Sequence, residues 1–235
     1  MTDCIRRWAG VGALCALTVL AGCATPTRPD PIEPWNRAMY EINEPIDKHL
    51  VEPFIKAYQQ YTWKPIRMAI SNVFNNIDDL FSGINGLLQG KWDKAGNDFG
   101  RVVVNSGLGL FGLIDIASEA GIERGDEDFG QTFGYWGFPQ GAYLFVPLFG
   151  PTTVRDGTGW LVRLAIGPVG YIPDVPVRNV IYGIGAVDLR SQAQDAVTFV
   201  DQAALDRYSF IRRAYLQRRQ YLVYDGKPPP EKEEE

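Results

Sequence analysis

Histidine is nearly absent from this chain. There is one, His49, in 235 residues, beside three cysteines. A Ser-His-Asp or Cys-His constellation would have to be built on His49, whose neighbours Lys48 and Leu50 offer no partner. A zinc site needs three or four clustered ligands, and none fall at suitable spacing. The run Glu123-Arg124-Gly125-Asp126-Glu127-Asp128 lacks the spacing of a calcium-binding loop and reads as a solvated loop with charge near a helix N-terminus. Asp78 and Asp79 are adjacent, so on a helix they point apart by about 100° and read as surface charge rather than an acid pair. No catalytic residue, metal or cofactor is expected. Positive charge is also in short supply: 23 Lys and Arg stand against 28 Asp and Glu. An acidic chain is a poor nucleic-acid binder, and none is expected as a partner.

The N-terminus has what a secretory signal requires. Arg6 and Arg7 precede an apolar run from Trp8 to Leu20 that is too short to span a bilayer permanently. Leu20-Ala21-Gly22-Cys23 resembles the bacterial lipoprotein box, in which Cys23 is acylated and becomes the first mature residue. Cys4 and Cys15 leave with the signal, so the mature chain has no disulfide and must hold by packing. Loss of residues 1–22 removes Asp3, Arg6 and Arg7, one net positive charge, and takes the net charge from −5 to −6. Ala24, where an aspartate would resemble an inner-membrane retention signal, favours the outer membrane, with the protein on the inner leaflet facing the periplasm. The reading is therefore a signal peptide at 1–22, a lipidated linker at 23–29, one helical domain at 30–226 and a disordered Pro/Glu tail at 227–235.

Within the domain, prolines 45, 53 and 65 suit first turns or boundaries of short helices. From Pro65 to Leu88, Ile66, Ile70, Val73, Phe74, Ile77, Phe81, Ile84, Leu87 and Leu88 recur at helical gaps of three and four, with Gly90 as the stop. Trp92, Ala95, Phe99, Val102 and Val103 repeat the spacing. Val197, Val200, Ala204, Tyr208, Ile211 and Tyr215 outline one long C-terminal helix. Its other face carries Arg207, Arg212, Arg213, Arg218 and Arg219, read as solvated or salt-bridged, with contact to anionic lipid heads as the lesser reading. Phe129–Gly150 is crowded with glycine and aromatics and reads as an extended or hairpin segment. Gly107, Gly109 and Gly112 spell G-x-G-x-x-G, but no repeated βαβ unit surrounds them, so a dinucleotide site is not expected. The broken apolar stretch 102–117 instead suits irregular backbone at membrane depth beside a cavity. Gly86 with Gly90, and Gly96 with Gly100, could let helix backbones approach closely. The domain is mainly α.

Asp30-Pro31-Ile32-Glu33-Pro34-Trp35-Asn36-Arg37-Ala38-Met39-Tyr40-Glu41-Ile42-Asn43 resembles the MlaA family of lipoproteins, also called VacJ. Ser71-Asn72, Leu88-Gln89-Gly90, Asn105, Gly109, Gly112, Ile114-Asp115-Ile116-Ala117, Phe129-Gly130-Gln131-Thr132, Gly141-Ala142-Tyr143, Pro147, Arg155-Asp156 and Arg213-Ala214-Tyr215-Leu216-Gln217-Arg218-Arg219 carry the likeness onward. Ala142 departs from the proline often found there. The resemblance implies a ring-like helical platform lying in the membrane plane, with an aromatic, glycine-rich hairpin and an amphipathic channel. It implies association with a trimeric porin and transfer of mislocalised phospholipid from the outer leaflet to a periplasmic, MlaC-like carrier, which maintains lipid asymmetry. Tyr135, Trp136, Phe138, Tyr143 and Phe145 are the expected channel or hairpin residues, with membrane anchoring as the other reading of that segment. Asn36, Arg37, Tyr40 and Asn43 are expected to form a fold-stabilising cap network or a gate. A periplasmic lipid hydrolase and a purely structural porin-scaffolding lipoprotein stay open as alternatives.

Overall fold

The computed structural model describes residues 30–229. The expected signal peptide, the expected acylation site Cys23 and its linker, and residues 230–235 of the expected tail lie outside the described residues. Helix α1 (Glu33–Ile46) runs through a π turn (Asp47–Val51) into α2 (Glu52–Tyr61). Two longer helices follow, α3 (Lys64–Leu88) and α4 (Trp92–Gly107), then a short α5 (Ile116–Glu119). Helix α6 (Phe129–Tyr135) leads into an antiparallel hairpin of β1 (Tyr143–Val146) and β2 (Gly150–Thr153), in which Tyr143 pairs with Thr153 and Phe145 with Pro151. Helix α7 (Val154–Ile166), a 3-10 turn (Pro168–Tyr171), α8 (Val175–Gln192), α9 (Gln194–Ala203) and α10 (Arg207–Val223) complete the chain.

Local chemistry accounts for the boundaries. Pro65 sits in the first turn of α3, where its missing N–H costs nothing. Gly90 ends the helix at φ +73°, and the N–H groups of Gly90 and Lys91 return to the carbonyls of Leu87 and Gly86. That paired closure satisfies the orphan carbonyls of the last turn. Asp128, Thr153, Asp174 and Asp206 cap α6, α7, α8 and α10 through side-chain oxygens. Helices α3 and α4 lie antiparallel and close. A Cβ on Gly86 would meet Ala95 at 3.2 Å. Gly96 and Gly100 face open space, so of the four glycines only Gly86 serves close helix packing.

Two sequence expectations change here. The C-terminal helix is two helices: Asp206 caps a new start at Arg207, which breaks the run at Ala204. The Phe129–Gly150 segment is hairpin only from Tyr143; its first seven residues are the Asp128-capped α6.

The burial pattern is inverted. Among the described residues, ten hydrophobic side chains are buried against seventeen polar or charged ones. Leu50, Trp63, Leu108, Phe111, Tyr171, Val180 and Phe199 are exposed instead. A water-soluble domain does the reverse with its large apolar residues, and contiguous exposed apolar surface marks a partner or a membrane. No helix among the described residues is long and apolar enough to cross a bilayer. A small aromatic core joins Tyr143, Phe145 and Tyr208 with Tyr40 and Tyr215. Contacts from α3 to α6, α6 to α7, α7 through the 3-10 turn to α8, and α8 back to α3 close a circuit of elements.

Candidate functional site: an amphipathic cavity

Inside that circuit lies a cavity of about 1030 Å³, with walls from α3, residues 124–129, the hairpin, α7, Leu189 and α10. It is at the large end of ligand clefts, which span roughly 300–1,000 Å³. One wall is apolar. Phe81 meets Phe129 edge to face at 6.4 Å between centroids, and Phe149 meets Trp160 at 5.1 Å. Leu144, Val146, Pro151 and Leu161 also line the cavity. The same cavity carries ionic groups. Arg219 donates to Asp128 at 2.5 and 2.9 Å and to Asp156 at 3.0 and 3.1 Å, and the Tyr215 hydroxyl adds a bond to Asp156 at 2.9 Å. Burial opposes the Arg219 charge, but the two carboxylates outweigh it and raise its pKa.

Glycine sets the thickness of this wall. A Cβ on Gly159 of α7 would lie 2.4 Å from the Gly130 nitrogen of α6, and one on Gly130 would strike Asp156 and Arg219. Any side chain at either position would push α6 and α7 apart and split the Arg219 bridge.

Behind α3, a buried network ties the cavity wall to α4. Arg101 donates to Asp79 at 2.9 Å, to Asp115 at 3.0 and 3.1 Å and to the Ile122 carbonyl at 2.8 Å. Arg124 donates to the other Asp79 oxygen at 2.6 Å. This corrects two expectations. Asp79 is buried rather than surface charge, while its neighbour Asp78, a third of a turn away, faces the cavity. The 123–128 run is only partly solvated, since Glu127 is buried and pairs with Lys91 and Lys94.

The N-terminal motif forms a clamp. The Asn36 amide, fully buried, donates to the Tyr143 carbonyl at 2.9 Å and accepts from the Phe145 N–H at 2.9 Å, closing the free edge of β1. Its second proton goes to Asp30 at 2.8 Å. Asn43 accepts from the Leu148 N–H at 2.7 Å at the hairpin turn. Arg37 bridges Glu33, Asp206 and Ser209, and lies 4.5 Å over the Tyr208 ring. Tyr40 meets Phe145 edge-on at 5.3 Å. These four residues bind α1, the hairpin and the start of α10 together.

The aromatic candidates divide. Tyr143 and Phe145 point into the core; Leu144 and Val146, on the opposite face of β1, line the cavity with Phe149. Tyr135, Trp136 and Phe138 are exposed at the end of α6, where the Trp136 indole donates to the Leu88 carbonyl at 3.1 Å. None of the five lines the cavity. Gly141 and Gly150 adopt φ of +73° and +88°, so the turns require glycine there. The stretch after α4 projects outward, with Leu108, Leu110 and Phe111 exposed, and it lines no part of the cavity. His49 is exposed, and its ring Nδ1 lies 2.9 Å from the Pro45 carbonyl oxygen. Of the arginines of α10, Arg207, Arg212 and Arg219 are ion-paired, while Arg213 and Arg218 are exposed. Among the described residues no group of three or more His, Cys, Asp or Glu could hold a metal.

Sequence reading missed Phe81, Leu144, Val146, Phe149, Trp160 and Arg163 as cavity residues. The period of two through residues 143–146 was the available signal: where one face enters an aromatic core, the other faces away.

Comparison with known proteins adds the family. The chain is 36% identical over 232 residues to the intermembrane phospholipid transport system lipoprotein MlaA of Haemophilus influenzae, covering 94% of this chain and 92% of that one. It is 30% identical to the protein of the same name from Escherichia coli K12, over 91% of this chain and 88% of that one. A solved structure from work on the structural basis for maintenance of bacterial outer membrane lipid asymmetry superposes with a TM-score of 0.73 at 28% identity, covering 83% of this chain and 98% of that one. The family profile described as MlaA lipoprotein matches residues 28–222, and this chain belongs to that family.

Proposed function

We propose that this chain is an outer-membrane lipoprotein that takes phospholipid out of the outer leaflet through its amphipathic cavity and hands it to a periplasmic carrier. Cys23 carries the acyl anchor, a trimeric porin seats the ring, and an MlaC-like protein receives the lipid. The observation that carries this reading is the mixed lining of the cavity: apolar side chains suited to acyl chains stand in the same cavity as ionic groups suited to a headgroup. Moving an amphiphile calls for both surfaces and for no nucleophile, so the chain works without covalent chemistry. The intermembrane transport role of its relatives supports the same reading. The exposed Tyr135, Trp136 and Phe138 rest at the lipid–water boundary, where rings with one wet and one apolar side are favoured. Asn36, Arg37, Tyr40 and Asn43 hold the hairpin that forms the cavity's apolar wall.

The test is complementation of a deletion strain, scored by phospholipid in the outer leaflet. Leu144→Glu and Phe149→Glu put charge on the apolar wall and should leave phospholipid accumulating at normal protein level. Full complementation by both would overturn the conduit. Cleavage of labelled phospholipid by the purified protein would favour a hydrolase, and porin copurification without a lipid phenotype would favour a scaffold.

A further inference from the structure

Three arginines line the cavity, and they differ in commitment. Arg219 spends its guanidinium on two carboxylates. Arg124 is held by buried Asp79 and the Asn75 carbonyl. Arg163, in the last turn of α7, has one ionic partner among the described residues, Asp78 on α3. Its guanidinium lies 4.9 Å over the Phe81 ring, so a cation and an apolar lining residue meet there. Both members of the pair line the cavity and are more than a third exposed. Exposed ion pairs of this kind contribute little to stability, so replacing one partner with a ligand group of the same charge is nearly neutral.

We propose that Arg163 and Asp78 read the headgroup of the transported lipid: their ion pair opens, Arg163 takes the phosphodiester, and Asp78 takes the ammonium of a zwitterionic headgroup. The proposal rests on the conduit reading above. The guanidinium matches two phosphate oxygens with parallel N–H groups, a geometry lysine cannot reproduce. Asp78 supplies the complementary anion. The cavity lining as a whole is acidic: Asp78, Asp126, Glu127, Asp128 and Asp156 outnumber Arg124, Arg163 and Arg219. A headgroup that brings a positive charge beside its phosphate is therefore favoured over one that brings the phosphate alone. Acyl chains below the headgroup would lie along Phe81, Phe129 and Leu144.

The test uses the full acylated protein in phosphatidylcholine vesicles with a tracer phospholipid carrying a photoreactive acyl chain and either an ethanolamine or a glycerol headgroup. Crosslinks are read at Phe129 and Leu144. The wild type should label preferentially with the ethanolamine lipid. Asp78→Asn should shift the ratio toward the glycerol lipid by about fivefold while total labelling holds, the upper range of one solvent-exposed ionic contact. Arg163→Gln should lower labelling by both lipids about fivefold, and Arg163→Lys should restore part of it. If Arg163→Gln fails to fold, Asp78→Asn and Arg163→Lys carry the test alone. Labelling at Phe129 and Leu144 that is identical in wild type and variants overturns the headgroup assignment and leaves the conduit standing. No labelling there in the wild type overturns the conduit itself. Added inorganic phosphate should change nothing; loss of labelling by phosphate through Arg163 would reassign the pair to a soluble phosphate ester and overturn the proposal.

Discussion

Asp115 shows how much a single carboxylate does at the back of the cavity wall. Burial would raise its pKa, but bonds from the Ser118 hydroxyl and N–H, the Asn105 amide and Arg101 outweigh that and hold it at about 2. A carboxyl lowered in the folded state contributes stability above its unfolded value, and that contribution is lost as pH falls toward the folded one. Asp115→Asn should therefore destabilise the protein at neutral pH by about 2 kcal/mol. Measured as a difference in thermal unfolding from the wild type, the gap should be full above about pH 4 and close toward pH 2. A gap that stays constant across that window would mean the charge of Asp115 contributes nothing. At this scale the sequence was only half readable. Spacing alone tells that Asp78 and Asp79 diverge on a helix. It does not tell that Arg101, twenty-two residues on, returns to meet Asp79, because α3 and α4 must first fold together.

The hairpin is the element on which the cavity's apolar wall depends, and two strands alone are marginal in water. Asn36 stands in for a third strand by pairing with both the carbonyl of Tyr143 and the N–H of Phe145. Asn36→Ala leaves those two buried groups without partners, at a cost of about 2–4 kcal/mol. Hydrogen exchange should show faster exchange confined to residues 143–153, with the α3–α4 amides unchanged. A uniform increase across the chain would show instead that Asn36 supports the whole fold. Legibility varied with how polar each element's outer face is. Helix α3 was readable because Asn72, Asn75, Asp78 and Asp79 alternate with its apolar positions. Helix α8 went unread: Val177, Val180, Ile184 and Leu189 are all exposed, so its surface has no polar stripe to reveal the period. The split before α10 was missed because Ala204 and Tyr208 keep a helical gap across it, although Asp206 with Ser209 three residues on was a readable cap.

At the scale of the whole molecule, the polar interior and greasy exterior make sense together. Ion pairs such as Arg101 with Asp79 and Arg219 with Asp156 hold the ring from within, leaving its apolar side chains for the outside. The loop after α4 carries this furthest. Phe111 is 86% exposed, and both Leu110 and Phe111 adopt positive φ. A conformation unfavourable for such residues persists only where the surroundings enforce it, here by the Gly112 N–H on the Asn105 carbonyl and the Asn76 amide on Ser106. The strained backbone holds a phenyl ring away from the protein, which in water would gain nothing. In a bilayer, burying a phenylalanine side chain is worth roughly 1.5–3 kcal/mol. The expected consequence is that the folded domain holds to membranes without its acyl chains. A Cys23→Ala chain made without residues 1–22 should cosediment with phospholipid vesicles, and adding Phe111→Glu should weaken that association by about tenfold or more. If the Cys23→Ala chain stays in the supernatant, the exposed apolar surface belongs to a protein partner rather than to lipid, and the ring is held at the membrane by its anchor alone.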